Sequence, residues 1–271
     1  VKTIHILQIA GFGDTLSLIT RLPSLKDKYS DYSIKIYLGG FGKAPLFSKQ
    51  QLEREGYQAS IIKNLTYHNQ LSGMSEMIKQ NFVKEGDLFF DASFCNEIFD
   101  NKSPWFCDFD MYLPYKYKVE DKSITIDCPN MVAINPLTKS GNSEGFDSDV
   151  QRGRFWNREE WKSLCIKLSK NGYTPVFCGY GDEDWGLYEE LKKEGYLVHS
   201  ISNQSVEAVI DFLSNQVVAG VFCNSWQWEI TSRIYVPTVC FYTKNHFFIN
   251  NHIPKVLSLE HPSTAYKLES V

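Results

Sequence analysis

The sequence predicts an α/β protein of two parallel-sheet domains facing each other across a cleft, and three observations lead there. Apolar strand-like runs alternate with helix-period segments along both halves of the 271 residues. That pattern belongs to repeated strand–helix units with right-handed crossovers. Two of the strands, Ile6–Ala10 and Val217–Phe222, run straight into small or polar residues: Gly11-Phe12-Gly13-Asp14 and Cys223-Asn224-Ser225-Trp226. Open parallel sheets bind ligands at the carboxyl ends of their strands, so one such edge per half implies two similar domains. Between the halves, residues 93–130 lose all periodicity and carry Pro104, Pro114 and Pro129 among many aromatics. The domain boundary is placed there, with a first domain of 1–128 that includes the irregular connector 93–128, and a second of 129–271.

In the first half, Thr3–Ala10 is an apolar strand. A helix from Asp14 to about Tyr29 follows, with Leu16, Ile19, Leu22 and Leu25 on one face. Pro23 inside it predicts a kink or a late start. Ser33–Leu38 is a strand that ends at Gly39-Gly40-Phe41-Gly42. Ser48–Glu55 is a helix closed by Gly56, Ala59–Lys63 a strand, Ser75–Lys84 a helix and Leu88–Phe90 a short strand. In the second half, Met131–Ile134 is a strand. Asn157 opens a helix, with Glu160 completing a capping box, and Trp161, Leu164, Cys165 and Leu168 face the core. Strands at Thr174–Cys178, Val198–Ile201, Val217–Phe222 and Thr238–Tyr242 alternate with helices at Asp184–Lys193, Ser205–Ser214 and Trp226–Ile234.

Composition narrows the class. At 43% hydrophobic and 22% charged residues, a packed globular chain is expected. The net charge of −4 argues against general nucleic-acid binding. Seven scattered cysteines, without a C-x-x-C pair, give neither a zinc ribbon nor a redox dithiol, and a reducing cytosol is expected. No apolar run approaches the ~20 residues of a membrane span, so the expected location is cytoplasmic, with at most peripheral contact at the inner face of the membrane.

The ordered pieces resemble the ADP-heptose:lipopolysaccharide heptosyltransferases, inverting glycosyltransferases of the GT-B fold, in which two Rossmann-like domains face a cleft. Gly11-Phe12-Gly13-Asp14-Thr15-Leu16, with Pro23-Ser24-Leu25, is similar to that family's G-x-G-D start and P-x-L helix. Ile134-Asn135-Pro136 is similar to the strand before its phosphate loop. Arg154-Phe155-Trp156-Asn157-Arg158-Glu159-Glu160-Trp161 resembles its basic-x-W-x-x-E-x-W segment, and Gly172–Gly179 its next strand. Asn224 through Pro237-Thr238-Val239 resembles its D-[ST]-G-x-x-H ending. The pattern departs there: Asn224 stands for the family's Asp, Trp226 for its Gly and Glu229 for its His. The family's long C-terminal helix is not evident after Leu257.

Position alone gives Asp14 two roles, a helix cap or a carboxylate presented to a ligand. The resemblance implies the second, the base that takes the acceptor proton. Gly11, Gly13 and Gly40 are candidates for shaping the acceptor side, and a plain turn is the simpler reading of Gly39-Gly40-Phe41-Gly42. Arg154, with Thr138, Lys139 and Ser140, is the candidate diphosphate clamp, the guanidinium fork matching phosphate oxygens; an ordinary solvated basic loop is the other reading. Asn224, Ser225, Trp226 and Gln227 start a helix whose free N–H groups and dipole favour an anion, or they simply cap it. Glu229 is expected to contact ribose or to point away from phosphate. The stretch Gly179-Tyr180-Gly181-Asp182-Glu183 follows the second strand of the donor half; the resemblance implies that it lies near the base and ribose, with Asp182 a candidate ribose ligand, and a plain cap on the next helix is the other reading. The motifs Asp108-Phe109-Asp110, Asp147-Ser148-Asp149 and Asp182-Glu183-Asp184 could hold a divalent cation, but the doubled α/β pattern points to metal-free chemistry, and no cofactor is expected.

The leading function is therefore inverting, metal-independent transfer of a sugar from a nucleoside-diphosphate sugar to a hydroxyl of a glycan or glycolipid. The alternative is a catalytically degenerate relative that binds nucleotide or glycan, or serves as an assembly subunit, without turnover. A nucleotide-sugar epimerase is a third reading. A dehydrogenase is disfavoured because Gly11-Phe12-Gly13 lacks the third glycine of a dinucleotide fingerprint.

Overall fold

The computed structural model describes residues 2–9, 11–40, 43–62, 71–92, 116–120, 124–137, 156–181, 183–223, 225–243 and 263–268, with the side chains of 14, 17, 71, 72, 242, 243 and 263–268 outside that description. The chain divides into two compact units, Val1–Leu113 and Pro114–Val271.

Unit 1 is a four-stranded sheet formed by β1 (Lys2–Ile9), β2 (Tyr32–Gly39), β3 (Gln58–Ile61) and β4 (Leu88–Asp91), in the order β3-β2-β1-β4. All its pairings are parallel. Ile4, Ile6, Leu7 and Ile9 of β1 are almost wholly buried, as expected of a central parallel strand covered on both faces. The expected single helix after β1 is two: α1 (Phe12–Ile19) and α2 (Leu22–Lys28). Pro23 sits in the first turn of α2. It has no N–H to give the Ile19 carbonyl and its ring crowds that carbonyl, so the helix restarts rather than bends. The next helices are α3 (Ala44–Arg54), starting earlier than expected and carrying Pro45 in its first turn, and α4 (Leu71–Phe82). Thr15 Oγ1 donates toward Ser48 Oγ (2.8 Å) and Gln8 Oε1 (3.3 Å), a buried contact that joins α1, α3 and β1.

His5 in β1 is a core residue. Its Nδ1 lies 2.9 Å from the Tyr37 hydroxyl and its Nε2 3.2 Å from Asp87 Oδ2. Asp87 also accepts the Thr3 and Lys84 backbone N–H groups at 2.7 and 3.0 Å. Those amides first, and His5 after them, hold the Asp87 carboxyl down to about 2.

Unit 2 is a six-stranded, wholly parallel sheet. Its strands are β5 (Met131–Asn135), β6 (Thr174–Phe177), β7 (His199–Ser200), β8 (Ala219–Cys223), β9 (Thr238–Thr243) and β10 (Ser263–Leu268). The order is β10-β9-β8-β5-β6-β7, the doubly wound 3-2-1-4-5-6 arrangement counted from β5. The sixth strand, paired Ser263↔Thr238 through Leu268↔Thr243, is not predicted by the sequence pattern. The helices are α5 (Arg158–Lys170), α6 (Leu187–Lys193), α7 (Val206–Asn215) and α8 (Trp226–Arg233). Trp161 and Cys165 of α5 and Leu187 and Leu191 of α6 close a core over Val132, Ile134, Phe177 and Val221. Leu164 and Leu168 pack at its margin. The Phe241 ring stacks on Trp156 (4.4 Å) and meets Trp161 edge-on (5.7 Å). Arg158 and Lys162 both pair with Glu190, tying α5 to α6 at the surface. Among the described residues, no helix is long and apolar enough to cross a membrane.

Candidate functional site

In each sheet, strand order reverses beside the first strand, and the crevice outside the carboxyl ends at that point is where doubly wound sheets bind ligands. In unit 1 it lies between β1 and β4. Gly11 and α1 follow β1 directly there. The helix begins at Phe12, so Asp14 lies inside its first turn. That removes the cap role left open by the sequence. Gly13 shares this turn, and Gly40, with φ 148°, directly follows β2. Asp91, ending β4, accepts a hydrogen bond from Ser75.

In unit 2 the reversal lies between β5 and β8, and there the polar groups are poorly matched. Five described side-chain atoms outside the arginines are buried without a hydrogen-bond partner. Four of them gather at this edge: Asn135 Oδ1 at the end of β5, and Ser225 Oγ, Gln227 Oε1 and Trp228 Nε1 at the start of α8. The fifth is Trp161 Nε1 in α5. Asn135 and Gln227 are each 1% exposed. Gln227 Nε2 donates to the Cys178 carbonyl just past β6 (3.2 Å). Because β5 stands between β8 and β6, that side chain spans the end of β5, where Asn135 sits. The bond to a carbonyl also fixes the amide's orientation, so Oε1 is the free end.

The start of α8 is not built like those of α5 and α7; like α6, which begins after Gly186, it has no side-chain cap. Asn157 accepts the Glu160 N–H at 2.9 Å and Ser205 the Ala208 N–H at 3.1 Å, both as side-chain caps. Ser225 has the same extended backbone but makes no cap bond. An uncapped helix start, with its positive dipole end, suits an anion or a polar ligand. Glu229, in the same turn, is ion-paired with the buried guanidinium of Arg233 one turn on. Its carboxylate is thus engaged within the helix. Trp226 is half-buried.

On the other flank, Gly179 follows β6. A Cβ there would fall 2.7 Å from Asn135 Oδ1 and 2.8 Å from Glu183 Cβ, so only glycine lets this backbone approach Asn135. Glu183, 8% exposed, accepts the Tyr180 N–H at 2.9 Å. Burial first, and then the Glu183 charge, push the Cys178 thiol up.

Of the residues singled out in the sequence, Ser225, Trp226, Gln227 and Glu229 therefore share one helix start, and Gly11, Gly13 and the backbone of Asp14 share another. Thr138, Lys139, Ser140, Arg154, Asp182 and Asn224 lie outside the described residues, as does the Asp14 side chain. Sequence reasoning missed Asn135 and Trp228 as parts of the site, and in the stretch Gly179–Glu183 it named Asp182 rather than Glu183. A signal for Asn135 existed: it is the single polar residue ending an otherwise apolar strand. Among the described residues, no group of three or more His, Cys, Asp or Glu is placed to hold a metal ion.

Two doubly wound parallel sheets in this order are the fold of the GT-B glycosyltransferases. The chain matches a family 9 glycosyltransferase from Veillonella parvula over 98% of its own length and 86% of the other (TM-score 0.63, 11% identity). It matches the ADP-heptose lps heptosyltransferase II of E. coli over 100% and 92% (TM-score 0.62, 13% identity). E. coli heptosyltransferase WaaC, solved with ADP-2-deoxy-2-fluoro heptose, matches over 97% and 92% (TM-score 0.55, 9% identity). No protein-family model matches the sequence, and no curated protein matches it. At these identities the likeness is one of fold.

Proposed function

We propose that the chain is a glycosyltransferase that moves a sugar from a nucleoside-diphosphate sugar to a hydroxyl of a glycan or glycolipid. The observation that carries this reading is the cluster of four unpartnered buried polar atoms at the strand-order reversal of unit 2. Each such group costs about 1–3 kcal/mol while unmatched, and a polar ligand relieves that cost. The ADP-sugar analogue in the WaaC structure supports the nucleotide-sugar class.

In this reading Asp14 takes the acceptor's hydroxyl proton as that oxygen bonds to the anomeric carbon from the face opposite the leaving group. The bond from that carbon to the phosphate oxygen breaks, and configuration inverts. The nucleoside diphosphate leaves with its electron pair and negative charge. Arg154, Lys139, Thr138, Ser140 and the start of α8 at Asn224 and Ser225 stabilise that charge, so no metal is required. Asp182 lies on the ribose side. The reaction is cytoplasmic, with peripheral contact where the acceptor is a lipid.

The test is Asp14→Asn, which keeps size and removes the base. Transfer is expected to fall about 10²–10⁴-fold, with nucleoside-diphosphate binding, read as a thermal shift, unchanged. Glu229, a carboxylate in the first turn of α8, favours the second reading, a binding protein without turnover. That reading wins if the native chain binds nucleotide, transfers no sugar and is indifferent to Asp14→Asn.

A further inference from the structure

The turn after β6 holds an aromatic ring out in solvent. Tyr180 is 65% exposed, and no large apolar or aromatic side chain among the described residues is more exposed. An exposed tyrosine on a loose loop would mean little, but this turn is braced from both sides. The Tyr180 N–H is held by the buried Glu183 carboxylate at 2.9 Å. The next N–H, of Gly181, donates to Asn203 Oδ1 at 2.8 Å, and the Asn203 N–H returns to the Gly179 carbonyl at 3.2 Å. Gly181 and Asn203 both take left-handed backbone, at φ 63° and 66°. Two turns distant in sequence thus lock together, and a carboxylate is buried, to hold one ring at the carboxyl edge of the sheet.

The turn that carries this ring adjoins the candidate site. Tyr180 follows Gly179, whose missing Cβ is what lets the backbone lie against Asn135. β6 is the strand next to β5, on the side away from α8. A ligand with its anion at the α8 start extends over β5 toward this turn, and the ring offers it a flat apolar face.

We propose that Tyr180 is the platform on which the base of a bound nucleotide stacks. This rests on the nucleotide-sugar reading above and adds the group that holds the heterocycle. Stacking needs a π-face and not the hydroxyl, and it is sequence-tolerant because every base has such a face. The braced turn fixes the backbone that carries the ring beforehand, which reduces the ordering cost on binding.

The experiment titrates the full chain with ADP, UDP and inorganic pyrophosphate by calorimetry, comparing native protein with Tyr180→Ala and Tyr180→Phe. Tyr180→Ala is expected to weaken ADP and UDP about tenfold and leave pyrophosphate unchanged, while Tyr180→Phe retains native affinity for all three. An unchanged melting temperature in Tyr180→Ala shows that the turn is intact. Native-like nucleotide affinity in Tyr180→Ala overturns the platform and leaves the glycosyltransferase reading standing. Equal weakening of pyrophosphate also overturns it, because the ring then acts through the phosphate site. If none of the three probes binds the native chain, the nucleotide-sugar reading itself fails and takes the platform with it.

Discussion

The tightest geometric statement of the site is the approach of Gly179 to Asn135, and Gly179→Ala tests it. The added methyl would lie 2.7 Å from Asn135 Oδ1, 2.8 Å from Glu183 Cβ and 2.9 Å from Glu183 Oε2. Comfortable carbon contacts begin near ~3.5 Å, so both side chains must give way. Neither yields cheaply. Asn135 is 1% exposed and Glu183 8%, so neither side chain can swing into water. Glu183 Oε2 also holds the Tyr180 N–H, so moving it uncaps the turn. Overpacking of this kind costs about 1–3 kcal/mol. At about 2–4 °C per kcal/mol for a domain of this size, the melting temperature should fall by about 2–12 °C. Calorimetric melts of Gly179→Ala, Asn135→Ala and the double variant measure it. Truncating Asn135 removes the nearest atom but not the Glu183 contacts. The double variant should therefore recover part of the loss, with a coupling of at least about 0.5 kcal/mol. A Gly179→Ala melt within 1 °C of native (roughly the ±0.5 kcal/mol of a neutral surface change), or strict additivity, would show that the approach is not tight.

Three further outcomes follow from local contacts. Ser205→Ala loses a formed helix cap and should cost about 1 kcal/mol, whereas Ser225→Ala breaks no bond and removes an unmatched buried hydroxyl, so it should leave stability unchanged or raise it by up to about 1–3 kcal/mol in paired thermal melts; equal losses would mean that Ser225 caps α8 after all. Asp87 is held near 2, so its contribution to stability is complete above the ordinary carboxylate pKa and is lost as pH falls from about 4 through about 2; the gap in urea midpoint between native and Asp87→Asn should be fully open at pH 6 and most of it lost at pH 2, and a gap undiminished at pH 2 refutes the assignment. Burial pushes the Cys165 thiol up to about 12 and the Cys240 thiol well above its ordinary value, so iodoacetamide at pH 8 should label half-buried Cys128 well before either, as mass spectrometry of the native chain would show.

Much of the fold was legible because parallel strands and their helices write themselves in hydrophobic period. β5 is a near-continuous apolar run, β1 has Ile or Leu at positions 4, 6, 7 and 9, and Asn157 and Ser205 stand where caps must stand. Boundaries failed where one residue overrode the period. Pro23 split the first helix. Gly186, at φ 70°, delays α6 to Leu187, although acidic and apolar residues from Asp184 onward read as helix. β10 was missed because nothing in its own six residues marks it; its place is set by pairing with β9. The site was half legible for a related reason. A strand that ends in Gly or Asn announces an edge, so Gly11 and Ser225 were found. What gathers at that edge from other strands, such as Asn135 beside Gly179, depends on sheet order, which no local window contains.

The distribution of unmatched groups separates the two edges of the unit 2 sheet. At the amino edge, polar groups find partners in the protein. Thr174 donates to the Pro129 carbonyl at 3.1 Å, Cys128 lies 3.0 Å from His199 Nε2, and Gln216 donates to Ile124 and accepts from Ile126. At the carboxyl edge four polar atoms of the described residues are buried and unmatched. The same chain, with the same supply of hydroxyls and amides, satisfies one edge and leaves the other open. Incomplete packing does not explain that contrast, because Asn135 is pressed close enough to Gly179 to exclude a methyl group. Unsatisfied yet tightly packed groups are the condition of a site whose missing partners arrive from outside. Nucleotide binding to the native chain should therefore stabilise unit 2 through hydrogen bonds that the free protein lacks, in addition to any charge it places at α8.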